Sequence, residues 1–509
     1  MARVHSNRLS EYTHENGGRV LLLFLLFALA IYLFINAGFS AFAIICLSPL
    51  AILFVYAAFK WKMAVFWALI IVNWFIMNRN FSLPFPASLA DESLELLLIA
   101  IAIIDTRNTP HFGRAWNFMF FAIMIWCGLC AIEILNDTCG LGMNVNAWFI
   151  GFRLMALHLV WILLVFSLYI TDPKSLTTYL KVWAGLSLFS AFWTWKMINI
   201  GLTDTEKAWL YSPNNHTHLL NAGTLIRYWS TFNDAASYGC NASASAVAFL
   251  IFGITSKVKY DKIFFLLTSA IVIWGMFQSG TRTAMITLIA GFVVFLFLSK
   301  SFKILVPSAI IGGIFLFILI FTNIGSGNQQ IRRMRSAFDK NDASANVRDI
   351  NKAAIAKYMD EAPWGIGIGM LSKDIPAWNK YKKLSDIPPD SEYVYIWVRT
   401  GAIGVTVFTF CMAMILLGGC IIVLFRLKNP TLIGIGGGLC AAFVSIQLGG
   451  YANQILYMYP NGLTFFGGMA IVYLLPYIEP EWIEYEKKRL AQIEEKKHLK
   501  LEKKLASRV

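Results

Sequence analysis

The stretch Phe277-Gln-Ser-Gly-Thr-Arg-Thr-Ala284 sets one arginine at the junction of two strongly apolar runs, Ile263 to Phe277 and Ala284 to Leu298. A charged side chain near the centre of a membrane helix costs at least ~2.5 kcal/mol on insertion scales. Arg282 is therefore expected at a membrane edge or facing a polar cavity. Arg227 lies in Thr224-Leu-Ile-Arg-Tyr-Trp-Ser-Thr-Phe-Asn-Asp-Ala-Ala-Ser-Tyr-Gly239, just before another apolar run, and Arg348 lies in Asn346-Val-Arg-Asp-Ile-Asn-Lys-Ala-Ala354. Three guanidinium groups on one face suit a diphosphate, because they bind phosphate oxygens bidentately and stay charged. Taken singly, each also reads as an interfacial snorkel or an ion pair, to Asp234 for Arg227 or to Asp349 for Arg348.

The carboxylates nearest these arginines in character are Asp390 and Glu392, in Asp390-Ser-Glu-Tyr393, which leads into the apolar segment Val394-Tyr-Ile-Trp-Val-Arg-Thr-Gly-Ala-Ile-Gly404. A carboxylate at such an edge is a candidate general base. It is equally a helix N-cap, since Asp and Ser are favoured at helix starts, and the two roles are compatible. His216-Thr-His218 has no Cys or acidic cluster beside it to complete a metal set and reads as a loop surface. Gly365-Ile-Gly-Ile-Gly369 lacks the strand and helix of a nucleotide fingerprint and reads as a tight turn at a membrane surface. Gly434-Ile-Gly-Gly-Gly438 reads as close helix packing. Cys127-Gly-Leu-Cys130 has redox spacing but sits in an apolar helix, so packing is favoured; Cys139 and Cys240 are expected near a surface. No metal site and no cofactor are expected.

The elements that must position these residues are membrane helices. The chain has 509 residues, is 58% hydrophobic and 14% charged, and repeats apolar runs near the ~20-residue spanning length from end to end. The fold class is all-α, a polytopic membrane bundle. About fourteen spans are expected, with cores near 20–37, 40–59, 63–77, 87–104, 116–136, 150–171, 178–200, 240–255, 263–278, 284–299, 304–324, 400–425, 431–450 and 457–477. The span 87–104 carries Asp91, Glu92 and Glu95 and reads as an interfacial start on a shorter crossing. The first run, Val20 to Asn36, has no clear cleavage pattern and reads as a signal anchor. The formal charge of +14 lies largely in loops and the C-terminal tail, as the positive-inside rule leads one to expect, rather than marking a nucleic-acid partner. Basic loops alternate along the chain and put both termini in the cytoplasm, with 201–239 and 325–391 on the outer face. The expected divisions are 1–19 as a cytoplasmic terminus, 20–324 as helices with the outer loop 201–239, 325–391 as a large outer loop, 392–477 as the last helices, and 478–509 as a solvated charged helix with pairs such as Glu484/Lys488.

These pieces, in this order, resemble the O-antigen polymerase and O-antigen ligase superfamily of bacterial envelope proteins. The matching stretches are Arg227…Thr231-Phe-Asn-Asp…Gly239, Ser279-Gly-Thr-Arg-Thr-Ala284, Arg348 followed by Ala362-Pro-Trp-Gly-Ile-Gly-Ile-Gly369, and Asp390-Ser-Glu-Tyr…Thr400-Gly-Ala-Ile-Gly404. The resemblance implies a metal-independent glycosyltransferase in the bacterial inner membrane, working on its periplasmic face. Its donor would be a glycan on undecaprenyl diphosphate. Its acceptor would be the next lipid-linked repeat in a polymerase, or lipid A–core in a ligase. A chain-length regulator is a further partner of the polymerase reading. By motif, the diphosphate-holding arginines map onto Arg227, Arg282 and Arg348. Ligases of this superfamily carry a His about eleven positions before the first Gly of the terminal Gly-x-x-Gly; here that position is Asp390, with Glu392 two residues on as the reserve. The substitution favours a polymerase of O-antigen, capsule or exopolysaccharide repeats, with a ligase as the alternative. A lipid-glycan flippase or transporter is the rival from another class.

Overall fold

The computed structural model describes residues 17–80, 86–105, 111–220, 225–299, 302–322, 324, 327, 329–335 and 343–506. It is all-α, as expected; the strands it describes are the two-residue pair Leu219–Leu220 and Leu225–Ile226. The chain divides into two compact units, Met1–Val65 and Phe66–Val509. The first holds the helix Gly17–Lys60, continuous over 44 residues. The expected spans 20–37 and 40–59 both fall within it, because Gly38-Phe39 is no helix breaker in an otherwise apolar run.

The expected count of about fourteen spans is not reached among the described residues. Among the described residues, seven helices are long and apolar enough to cross a membrane, or eight if Leu53–Lys60 and Lys62–Phe75 form one broken span, against the fourteen expected. Some of the other expected spans fall short by length or composition; Phe302–Phe321, over the expected span 304–324, is an apolar helix of 20 residues and does not. Arg282–Leu298 has 17 residues. Pro173–Asn199 is interrupted by lysines, serines and threonines. Ala87–Ile104 carries three carboxylates, and Asp91, Glu92 and Glu95 are all buried within the protein.

At the centre of the second unit, helix Ala235–Thr255 packs against Lys259–Gln278, Arg282–Leu298 and Pro430–Ala452. Its first half is mostly Ala, Ser and Gly, and small side chains let membrane helices approach closely. The expected glycine packing is present: a Cβ on Gly438 would stand 2.6 Å from the Phe252 ring. Cys240 lies here too, fully buried rather than near a surface. Asp234 starts this helix, its carboxylate accepting the Ala236 and Ser237 N–H groups at 2.7 and 2.8 Å.

Two corners shape the site end. At the first, Lys259–Gln278 stops at Ser279, Gly280 turns the chain with φ 58°, and Arg282 opens the next helix. At the second, helix Glu392–Ile421 is broken at Gly401, φ 68°. The turn 363–369 docks into the break, with Ile366 N–H donating to Val398 O at 2.9 Å and Gly367 N–H to Arg399 O at 3.1 Å. A helical backbone there would spend those carbonyls on itself, so the left-handed glycine is what frees them.

The C-terminal helix Gly467–Ala506 departs from the solvated reading over its first part. Glu486 is buried, accepting from Thr431 Oγ1 at 2.6 Å and pairing with Lys257 Nζ at 2.9 Å, and Arg489 Nη1 meets Asp261 at 2.6 Å. The expected Glu484–Lys488 pair is present at 3.9 Å and exposed.

Candidate active site

Arg227, Arg282, Arg348 and Asp390 line one cavity of about 830 Å3. They come from four places far apart in the chain. Arg227 follows the short hairpin, its own N–H donating to His218 O at 2.9 Å. Its guanidinium Nη2 donates to Thr281 Oγ1 at 3.2 Å and Nη1 to Thr217 O at 3.3 Å. Thr281 Oγ1 in turn donates to Ala235 O at 2.8 Å. Thr281 thereby joins the Arg227 segment, the start of helix Ala235–Thr255 and the corner that presents Arg282. Gly239 makes that join possible, since a Cβ on it would stand 2.9 Å from Thr281 Cβ and collide with Ser279 Oγ.

Arg348 sits on helix Ala343–Met359. One turn along the same helix, Asn351 Nδ2 donates to Asp390 Oδ2 at 2.9 Å. This bond sets Arg348 and Asp390 side by side on the cavity wall. Glu392 is placed differently. It is buried, its Oε2 accepts the Leu456 N–H at 2.9 Å, and it does not line the cavity. Neighbouring bonds from Ser391 Oγ to Gly450 O at 3.3 Å and from Gln454 Nε2 to Pro389 O hold the same corner to the segment 450–456.

Two lining residues escaped the sequence reading. Arg333, on helix Gln329–Arg335, donates from Nε to Gly280 O at 2.6 Å and brings a fourth guanidinium to the cavity. Its signal was the run Arg332-Arg333-Met-Arg335, which nothing in spacing alone tied to Arg282. His218, expected on a loop surface, is buried against the rings of Trp209 and Trp229. Its Nε2 accepts the Ala235 N–H at 3.2 Å.

The electrostatics are those of an anion site. Burial lowers the Arg227 pKa; Asp234 partly offsets this, while Arg282 and Arg348 push it further down. Arg333 falls to about 10, through burial and then the charges of Arg227 and Arg282. The His218 pKa drops to about 4, through burial first and then Arg227, so the ring is neutral near pH 7. Asp234 is raised by burial, against the two N–H groups it caps. Four mutually repelling guanidiniums thus face two lining carboxylates among the described residues, and one of those is committed to a helix cap.

Two further cavities lie in the same unit, and the first of them adjoins the arginine cavity by shared residues. One of about 480 Å3 shares Arg348, Pro388 and Asp390 with the arginine cavity and continues along Val394, Trp397 and Tyr451. The other, about 550 Å3 and almost entirely apolar, begins at Met276, Phe277 and Met285, beside the Arg282 corner. It follows one face of helix Arg282–Leu298 through Leu288, Ile289, Phe292 and Leu296.

Residues 265–409 match the family model described as O-antigen ligase. Over those residues the match supports the likeness to the O-antigen ligase and polymerase superfamily. It spans Arg282, Arg348, Asp390 and Glu392 but stops short of Arg227, which reaches the O-antigen ligase region through the fold. No curated protein matches the chain.

Proposed function

We propose that this protein is a membrane glycosyltransferase of the O-antigen ligase and polymerase superfamily, acting on a glycan carried by undecaprenyl diphosphate at the periplasmic face of the bacterial inner membrane, and that it polymerises surface-polysaccharide repeats. The observation that carries the reading is the convergence of Arg227, Arg282, Arg348 and Asp390 on one cavity. The diphosphate lies among the guanidiniums and the lipid tail runs down the apolar groove below Arg282. The acceptor sugar enters along Trp397 and Tyr451, aromatic faces suited to a sugar ring, and reaches Asp390 from that side. The acceptor hydroxyl oxygen bonds to the anomeric carbon as the bond from that carbon to the diphosphate oxygen breaks. The hydroxyl proton passes to Asp390, and the arginines stabilise the departing diphosphate. The arginines supply the charge that a metal would otherwise bring to that leaving group.

The ligase alternative draws on the family description itself; the polymerase reading draws on Asp390 where ligases carry a His. Proteoliposomes holding the purified protein and one synthetic lipid-diphosphate repeat decide among the readings. A ladder of lengthened products on the lipid supports polymerisation. Transfer only after a lipid A–core acceptor is added supports ligation. Movement of the donor across the bilayer with no new glycosidic bond removes both and leaves the flippase.

A further inference from the structure

Asp91, Glu95 and His158 bring their donor atoms together in the interior, all within 4.8 Å of one another, and none of the three lines the arginine cavity. Asp91 and Glu95 lie one turn apart on helix Ala87–Ile104, so both carboxylates leave the same face. His158 follows the π-turn Arg153–Leu157, and such turns re-aim side chains within a helix. Its Nε2 stands 3.3 Å from Asp91 Oδ2 and 3.2 Å from Glu95 Oε1. Both are close ion-pair contacts, and the second Glu95 oxygen, Oε2, is buried without a hydrogen bond. Asn73 donates from Nδ2 to Asp91 Oδ1 at 2.9 Å, while its own Oδ1 is buried and without a hydrogen bond. Asp91 and Glu95 are 0% exposed and Asn73 is 1% exposed.

We propose that this cluster is a binding site for a first-row divalent cation of the zinc type, held by Asp91, Glu95 and His158. Ligand atoms about 2.0–2.2 Å from a tetrahedral ion lie roughly 3.3–3.6 Å from one another; the two edges from His158 Nε2, 3.3 and 3.2 Å, are close to that spacing, and the Asp91–Glu95 edge lies within 4.8 Å. One nitrogen with carboxylate oxygens is a donor set such ions accept. Charge argues the same way. With both carboxylates ionised, a dication beside a neutral ring balances their charge. The neighbouring Glu92–Arg153 pair, at 2.6 Å, is already self-compensating. Asn73 Oδ1 or a water completes the set. The ion staples helix Ala87–Ile104 to helix His158–Tyr169 and is structural, separate from glycan transfer.

The test uses the full-length protein in detergent. Elemental analysis of the purified wild type is expected to give close to one zinc per chain. Chelation should remove it and lower the unfolding temperature, and added Zn2+ should restore both. His158→Gln and Glu95→Gln are expected to bind at least ~10-fold more weakly, while Arg282→Ala keeps the metal. A wild type with no stoichiometric metal and no zinc-dependent thermal shift overturns the proposal and leaves a cluster that shares a proton. Undiminished binding in a folded His158→Gln protein overturns it as well. The wild-type measurements decide even where a variant fails to fold, and failure of the glycosyltransferase reading leaves them unchanged.

Discussion

Arg227 Nη2 donates to Thr281 Oγ1 at 3.2 Å, across 54 positions of sequence, and so ties the segment before helix Ala235–Thr255 to the corner that presents Arg282. Replacing Thr281 by Val removes an acceptor for the guanidinium and the donor to Ala235 O. Donor KM should rise several-fold while the protein still inserts. An unchanged KM in vesicles of Thr281→Val would show that Arg227 needs no such anchor.

Arg282→Ala should abolish transfer at normal protein level, and Arg282→Lys should rescue poorly, because an ammonium cannot reproduce the bidentate fork. Arg227→Ala, Arg348→Ala and Arg333→Ala should follow in the same direction. Near-normal product from Arg282→Ala, measured against the amount of protein in the membrane, removes the diphosphate clamp.

Asp390 and Glu392 should separate. A general base contributes roughly 10²–10⁴-fold, so Asp390→Asn should lose transfer in that range with donor binding little changed. Glu392→Gln should act on stability instead, since the buried carboxylate accepts the Leu456 N–H; a loss of about 1–3 kcal/mol is expected, read as a fall in the unfolding midpoint. A catalytic loss confined to Glu392→Gln would exchange the two roles.

His218 gives the protein a pH-dependent stability. Its pKa is about 4 in the fold, against about 6.5 in an unfolded chain. The depressed value means that the fold prefers the neutral ring. Its contribution is fully present above about pH 6.5 and is lost as pH falls toward 4. The unfolding temperature should therefore drop across that window, and the drop should shrink in His218→Gln. Equal pH profiles for the two proteins would count against the buried neutral ring.

Gly239→Ala should displace the Arg282 corner. The added methyl meets Thr281 Cβ at 2.9 Å with Ser279 Oγ nearer still, and overpacking of this kind costs about 1–3 kcal/mol. Both the unfolding temperature and transfer should fall. For sidedness, Lys373→Cys in a cysteine-free background should react with impermeant thiol reagents added from outside, because Lys373 is exposed in the 325–391 loop. Labelling from the cytoplasm alone reverses the orientation.

The sequence by itself determined that this chain is an all-helical membrane protein, because apolar runs of spanning length admit few other backbones. It also determined which residue types could meet a diphosphate, since an arginine between two apolar runs at Arg282 needs a reason to be there. It did not determine the number of spans: whether 20–37 and 40–59 break apart depends on the helix that forms through Gly38, and Gly17–Lys60 runs on. Tertiary structure decided the site. Arg333 and His218 join it through contacts such as those at Gly280 and Ala235, which no spacing along the chain announces. It also parted Asp390 from Glu392, two residues apart and chemically alike. The helix start turns one carboxylate into the cavity beside Asn351 and the other onto the Leu456 N–H, and the direction of a side chain is set by the backbone around it rather than by its name.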